Sequence, residues 1–200
     1  MAKIIPYQRQ RFKPIDFKRA DEYGVTVPTG QLNLFDQPVK EETPTIPLAD
    51  KAFDLALKLD LRNDPSAESY YLRAIEKNES IAHSLCNLGV IAAHKQNMTE
   101  AVDLFSRALV EDPRHCESHF NLANVYFAAG NYSLAILHYG IVTKIANQFA
   151  DVYFNLGLAH LELEQLEEAN EAFKAYKSLI PEEVQPDQIN IILQSLSSLI

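Results

Sequence analysis

The sequence predicts an all-α protein: a superhelical stack of helix-turn-helix hairpins, preceded by an extended N-terminal tail and closed by a C-terminal capping helix. Three observations carry this. A 34-residue step links Leu88, Leu122 and Leu156; Gly89, Ala123 and Gly157; Ala101, Ala135 and Ala169; Phe105, Tyr139 and Phe173; Ala108, Val142 and Tyr176; and Pro113, Asn147 and Pro181. Between these columns the apolar residues recur at helical spacing. The composition, 47% hydrophobic with 6 glycines in 200 residues, suits a packed helical chain. One hairpin cannot bury its apolar stripe alone, so neighbouring hairpins must stack.

Residues 1–47 stand apart. Pro6, Pro14, Pro28, Pro38, Pro44 and Pro47 lie there, six of the chain's 10 prolines. Proline blocks a helix and withholds a backbone donor, so this segment is expected to be extended. Val25-Thr26-Val27 and Leu32-Asn33-Leu34 flank Pro28-Thr29-Gly30 and read as a short β-hairpin. Two strands alone are marginal in water, so the hairpin would need a surface to dock on.

The array is placed at 48–185, with repeats 48–81, 82–115, 116–149 and 150–183. The first is degenerate. Ala52, Leu55, Ala56 and Leu59 share one helical face, but Asp54 and Leu55 occupy the Leu and Gly columns. Its second helix is orthodox, with Ala67, Tyr71 and Ala74 in register. Asp64-Pro65 reads as its start, Asp as N-cap and Pro at the first helical position. Short polar turns are expected at Gln96-Asn97, Gly130-Asn131 and Glu164-Gln165. Small residues at 89, 123 and 157 let paired helices approach, and the aromatic column fills the gap beside them. Gly140 lies inside a helix, a cost of about 1 kcal/mol relative to Ala. Residues 186–200 read as the capping helix, with Ile189, Ile192, Leu193, Leu196 and Leu199 as its apolar stripe. Its other face, Gln188, Asn190, Gln194, Ser195, Ser197 and Ser198, is neutral enough to receive a second subunit.

Charge divides the chain. Residues 1–20 carry Lys3, Arg9, Arg11, Lys13, Lys18 and Arg19 against Asp16 alone, a balance of +5; the chain as a whole is at −9, which leaves −14 on the other 180 residues. An acidic body disfavours general nucleic-acid binding. The basic-aromatic tail (Tyr7, Arg9, Arg11, Phe12, Lys13, Phe17, Lys18, Arg19) keeps one alternative open, a regulatory protein associated with single-stranded nucleic acid. No apolar run is long enough to span a membrane and the N-terminus lacks a secretory h-region. Cys86 and Cys116 are too few for a disulfide framework and read as reduced thiols of a cytoplasmic protein.

Catalytic and metal chemistry find little support. No Gly-rich phosphate loop, HExxH, GxSxG or CxxC occurs, so no cofactor and no enzyme activity are expected. His115 and His119 are four apart, but His115 closes a repeat and is expected in a turn, and no further ligand pair completes a metal set. His83 and Cys86 lack an orienting carboxylate and read as groove-lining residues.

The 34-residue period, with Leu-Gly, a later Ala-x-x-x-Phe and a closing Pro, resembles the tetratricopeptide-repeat family. That resemblance implies a right-handed superhelix whose first helices line a concave groove for an extended peptide or a partner helix. It implies, too, a protein-binding adaptor with no catalytic activity. Carried onto this sequence, its groove positions are His83, Cys86, Asn87, Val90, Ala93 and His94 in the second repeat. In the third they are Glu117, Phe120, Asn121, Asn124, Phe127 and Ala128; in the fourth, Asp151, Phe154, Asn155, Leu158, Leu161 and Glu162. Asn87, Asn121 and Asn155 form a ladder of amides suited to a peptide backbone. Phe120, Phe127, Phe154 and Leu158 either supply apolar anchoring surface or pack between repeats. Glu117, Asp151 and Glu162 favour a basic or neutral ligand, and residues 1–35 of the chain are expected to dock on the array, in cis or on a neighbouring molecule.

One subclass of the family clamps a chaperone's C-terminal carboxylate with Lys, Asn, Asn, Lys and Arg. Those positions here hold Cys86, Val90, Asn121, Asp151 and Asn155 or, one repeat earlier, Ala52, Ala56, Asn87, Glu117 and Asn121. The cations are missing in both registers, which disfavours that ligand. Val27-Pro28-Thr29-Gly30-Gln31-Leu32-Asn33-Leu34 is similar to a linker in some bacterial proteins that join a helix-turn-helix domain to such repeats, and implies a bacterial source.

Overall fold

A computed structural model describes residues 51–181 and 187–199, and the side chains of all of these but 187 and 188. The expected hairpin at 25–34, the rest of the tail and the bacterial-type linker lie outside the described residues. Among the described residues the chain forms nine helices: α1 (Ala52–Leu61), α2 (Ala67–Glu76), α3 (Ile81–His94), α4 (Met98–Glu111), α5 (Cys116–Ala128), α6 (Tyr132–Ile145), α7 (Ala150–Glu162), α8 (Leu166–Leu179) and α9 (Asp187–Leu199). They belong to two compact units, α1–α4 and α5–α9, divided between His115 and Cys116. In the first, α1 pairs with α2 and α3 with α4, and α2 packs on α3. In the second, α5 pairs with α6 and α7 with α8, while α6 packs on α7 and α9 on α8.

The turn inside each hairpin has one solution. At the end of α3, Gln96 takes φ 63°, its N–H reaches the Ala93 carbonyl at 2.9 Å, and Asn97 N–H reaches Ala92 at 2.9 Å. Gly130 (φ 75°) and Glu164 (φ 59°) repeat this 34 and 68 residues on, with Asn131 bonded back to Tyr126 and Gln165 to His160. Each is a Schellman closure that satisfies the orphan carbonyls of the first helix. Only the middle one uses the glycine that such a φ favours. The residue that closes one helix also opens the next. Asn97 Oδ1 accepts from Glu100 N–H, and Asn97 Nδ2 donates to Glu100 Oε2 at 2.6 Å.

The second helix of the first hairpin starts two residues later than expected. Asp64 Oδ1 does accept from Ser66 N–H (2.9 Å) and Ser66 Oγ (2.6 Å), and these bonds hold the Asp64 carboxyl below the usual range. Pro65 and Ser66, however, form a turn, and α2 begins at Ala67, whose N–H bonds the Asp64 carbonyl.

Packing explains the columns. A Cβ built on Gly89 would lie 2.6 Å from Phe105 Cε1, and one on Gly157 2.8 Å from Phe173 Cε1. The aromatic ring stands against bare backbone, so any larger residue there must displace it. Ala101, Ala135, Ala169, Phe105 and Phe173 are fully buried. In α1, Ala52 and Ala56 are buried and Leu55 and Leu59 half-buried, while Phe53 supplies the large core side chain of that helix. In α9, Ile189, Ile192 and Leu196 are buried, but Leu199 is 59% exposed. At 100° per residue Leu199 falls about 80° from Ile189, at the edge of the stripe. Lys177 Nζ donates to Asn190 Oδ1 at 2.7 Å and ties α8 to α9.

Candidate functional site

The candidate surface is the face of the first helices, α3 in the first unit and α5 with α7 in the second. Each is best described from the tyrosine beneath it. In the first unit the Tyr71 ring is fully buried, and its hydroxyl donates to Asp60 Oδ2 at 3.4 Å and receives Asn87. Burial first, then the Asp60 charge, pushes this hydroxyl far up, so it stays a neutral donor. Asn87 and Val90 are half-buried on α3, whereas Cys86 and Ala93 are in the core. Phe53, His83 and His115 form an aromatic row beside them, with ring centres at 6.0 Å and then 4.5 Å, edge to face.

In the second unit the corresponding tyrosine is held by two amides. The Tyr139 hydroxyl donates to Asn124 Oδ1 at 2.6 Å, Asn155 Nδ2 donates to the same oxygen at 3.2 Å, and Asn155 bonds the hydroxyl as well. Asn124 and Asn155 come from α5 and α7, so this triangle fixes the spacing of the two first helices. Burial drives the Tyr139 hydroxyl far above its ordinary range.

The aromatics divide. Phe120 is buried against Tyr139 (5.8 Å) and Phe149 (4.9 Å), and Phe127 is buried against Tyr132 (5.1 Å). Leu158 and Asn121 are also buried. Phe154 is half-buried, with one edge on Phe173 and Tyr176 at 5.6 and 5.1 Å. Half-buried, too, are Glu117, Asp151, Asn155, Leu161 and Glu162, while Ala128 is exposed. The structure thus gathers Asn124, Asn155, Asp151 and Phe154 around α5 and α7, with Phe120 and Phe127 packed below.

Asp151 has an unusual setting. Burial raises its carboxyl above the ordinary carboxylate range, and no cation among the described residues pairs with it. Its charge also acts on the Tyr176 hydroxyl, which burial and then Asp151 push up to about 12.

Other polar side chains lie outside the expected groove positions. His119 Nδ1 and His138 Nδ1 are 2.9 Å apart, and the Tyr126 ring stacks on His138 at 5.7 Å. Burial, then His119, holds His138 down to about 4. His115 lies in the turn before α5 and faces His83, so His115 and His119 have different ring partners. Among the described residues no group of three or more His, Cys, Asp or Glu is set to hold a metal ion. The Cys116 thiol is pushed up to about 12 by burial and then by Glu117, which removes it as a nucleophile at neutral pH. Tyr71, Tyr139 and His138 were missed because they sit on second helices. The signal was partial: Tyr139 and Asn124 flank one hairpin turn at similar distances, but Asn87 and Asn155 belong to the next hairpin, where no turn relates them to the tyrosine.

Tetratricopeptide-repeat models match residues 56–115, 104–136 and 150–183, and a TPR-repeat model matches 123–164, so consecutive matches run from 56 to 183. The chain is a tetratricopeptide-repeat protein. Solved structures with the same fold include MamA (41 to end) from Desulfovibrio magneticus RS-1. It is 24% identical, with a TM-score of 0.63 over 76% of this chain and 87% of that one. The first TPR of Spaghetti (RPAP3), bound to the HSP90 peptide SRMEEVD, is 21% identical, with a TM-score of 0.53 over 59% of this chain and 91% of that one. The Sgt2 TPR domain from Aspergillus fumigatus is 22% identical, with a TM-score of 0.51 over 59% and 78%. No curated protein sequence matches this tetratricopeptide-repeat protein closely enough to be counted a relative. Among its described residues no helix is long and apolar enough to cross a membrane.

Proposed function

We propose that the protein is a non-enzymatic adaptor whose first-helix surface holds an extended or helical segment of a protein partner, basic or neutral in charge. Protein interaction is the coarse function that the repeat family supports. The finer reading rests above all on Asp151, a half-buried carboxylate on α7 with no described cation beside it. A charge in that setting gains most from a Lys or Arg brought by a ligand. The neighbouring amides of Asn124 and Asn155 are already oriented by Tyr139, so a peptide backbone meets donors and acceptors that need little ordering.

The likeness to the RPAP3 domain does not extend this reading to an acidic ligand. That domain is bound to SRMEEVD, whereas the positions a carboxylate clamp would use here hold Asp151 and no cation. Selection from a random peptide library on the full-length protein tests the proposal. Enrichment of Lys- and Arg-containing or neutral peptides, lost in Asn155→Ala, supports it. Enrichment of acidic C-terminal peptides, or of nothing, overturns it.

A further inference from the structure

We propose that the basic stretch Lys3–Arg19 of this same chain occupies the α5–α7 surface in cis and sets a cation against Asp151, so that an external ligand must displace it. The inference rests on the binding surface proposed above and names its resident occupant.

Four observations bear on it. The first is charge: residues 1–20 stand at +5 and the remainder at −14, and α5 and α7 carry Glu117 and Asp151 at equivalent positions 34 residues apart. The second is Asp151 itself, held in a setting that disfavours its ionised form with no described cation to relieve it. A surface that had only to meet water would gain nothing from a carboxylate there.

The third is local chemistry. Arg9, Arg11 and Lys13 alternate, and Pro14 follows them, so an extended backbone sets all three cations on one side. Tyr7, Phe12 and Phe17 are interleaved with them and can meet the half-buried Phe154. The fourth is reach. From Arg19 to the start of α1 at Ala52 there are 33 residues, which extended span at most about 110 Å and as a random coil average about 30 Å. A tether in that range gives an effective concentration near the millimolar scale. Modest affinity is then enough to keep the surface occupied.

The test uses the full chain with a photo-crosslinking phenylalanine analogue at Phe12. Irradiation at 50 mM salt is expected to place most crosslinks within 116–128 and 150–162 of the same molecule, at a yield independent of protein concentration. The yield should fall several-fold at 0.5 M salt, because exposed charges are screened over a few ångströms there. It should fall similarly in Asp151→Asn, whose melting temperature is expected to match or exceed that of the parent. An Arg9→Glu/Arg11→Glu/Lys13→Glu chain should bind an added dodecapeptide of alternating Arg and Ala about tenfold more tightly than the parent does.

Scattered crosslinks, or crosslinks between two copies, overturn the proposal. So does a tail protected by a single-stranded oligonucleotide while leaving α5 and α7 unlabelled. If the Arg-Ala peptide binds α5–α7 equally with and without the charge reversal, the tail proposal fails and the binding surface stands. If neither peptide nor tail labels those helices, both fall.

Discussion

Tyr71 and Tyr139 occupy one column two repeats apart, and what surrounds their hydroxyls distinguishes the first unit from the second. Tyr71 donates to one carboxylate, Asp60, in a long bond, with the Asn87 amide nearby. Tyr139 donates to Asn124 Oδ1, which also accepts from Asn155 and so links two helices. On the faces of the first helices the contrast continues. The α3 face offers histidines, Asn87 and Val90, whereas α5 and α7 offer Glu117, Asp151 and Glu162. Shared columns fix how hairpins pack. The positions between them set the chemistry each unit presents, and there the units have diverged.

The largest test of that comparison goes to what the units share. Phe105→Ala and Phe173→Ala each remove a fully buried ring and should cost about 3–5 kcal/mol in urea unfolding. Hydrogen exchange should show the first loosening α3 and α4 most, and the second α7 and α8. Equal loss across both units in each variant would mean that they open as one.

The tyrosines come next, because Phe occupies their column in the intervening repeats and so fits. Tyr139→Phe should cost about 1–3 kcal/mol by leaving two amides with an unfilled bond, and Tyr71→Phe only about 0.5–1.5 kcal/mol. Matching losses would erase the distinction drawn here.

Between about pH 4 and 6.5 a pH term should arise from His138, in the second unit. His138 is held near 4 in the folded protein against 6.5 for a free imidazole, facing His119 and Tyr126. The unfolded chain therefore binds the proton more readily. Stability is full above about pH 6.5 and declines as pH falls toward about 4, by roughly 1 kcal/mol once partial solvent exposure is allowed for. In His138→Gln, thermal melts across that window should lose this slope, and an unchanged slope would assign it elsewhere.

The smallest effect concerns Gly140, where an added Cβ would meet nothing within 4 Å. Gly140→Ala should stabilise the protein by about 0.5–1 kcal/mol and raise exchange protection in α6, which is expected to be the least protected second helix.

How much of this was legible in the sequence follows from what a periodic pattern encodes. Gly89 against Phe105, and the turns at 96–97, 130–131 and 164–165, are local or strictly repeated, and the spacing exposed them. The direction of a ring at a first-helix position is not periodic. Phe120 and Phe127 turn inward onto Phe149 and Tyr132, while Phe154 stays half-buried, and one register describes all three. The Tyr139 triangle and the His119–His138 pair join residues up to 31 apart across helices, where only the hairpin geometry shows the meeting. Asp64-Pro65 announced a helix start, and Asp64 does accept from Ser66 N–H, but Pro65 and Ser66 form a turn and α2 starts two residues later, at Ala67.

The setting of the two thiols has a practical consequence. A cysteine that opens a helix usually ionises more easily, yet burial and Glu117 reverse this for Cys116, and Cys86 is enclosed in the core of the first unit. A rise from 9 to about 12 leaves the Cys116 thiolate about a thousandfold scarcer than on an open chain. Alkylation at Cys86 must therefore wait for its surroundings to part, whereas the half-buried Cys116 is slowed by its scarce thiolate. The molecule carries one native clock in its first unit, the labelling rate of Cys86, and Cys116 supplies a slow reference beside it with no probe introduced.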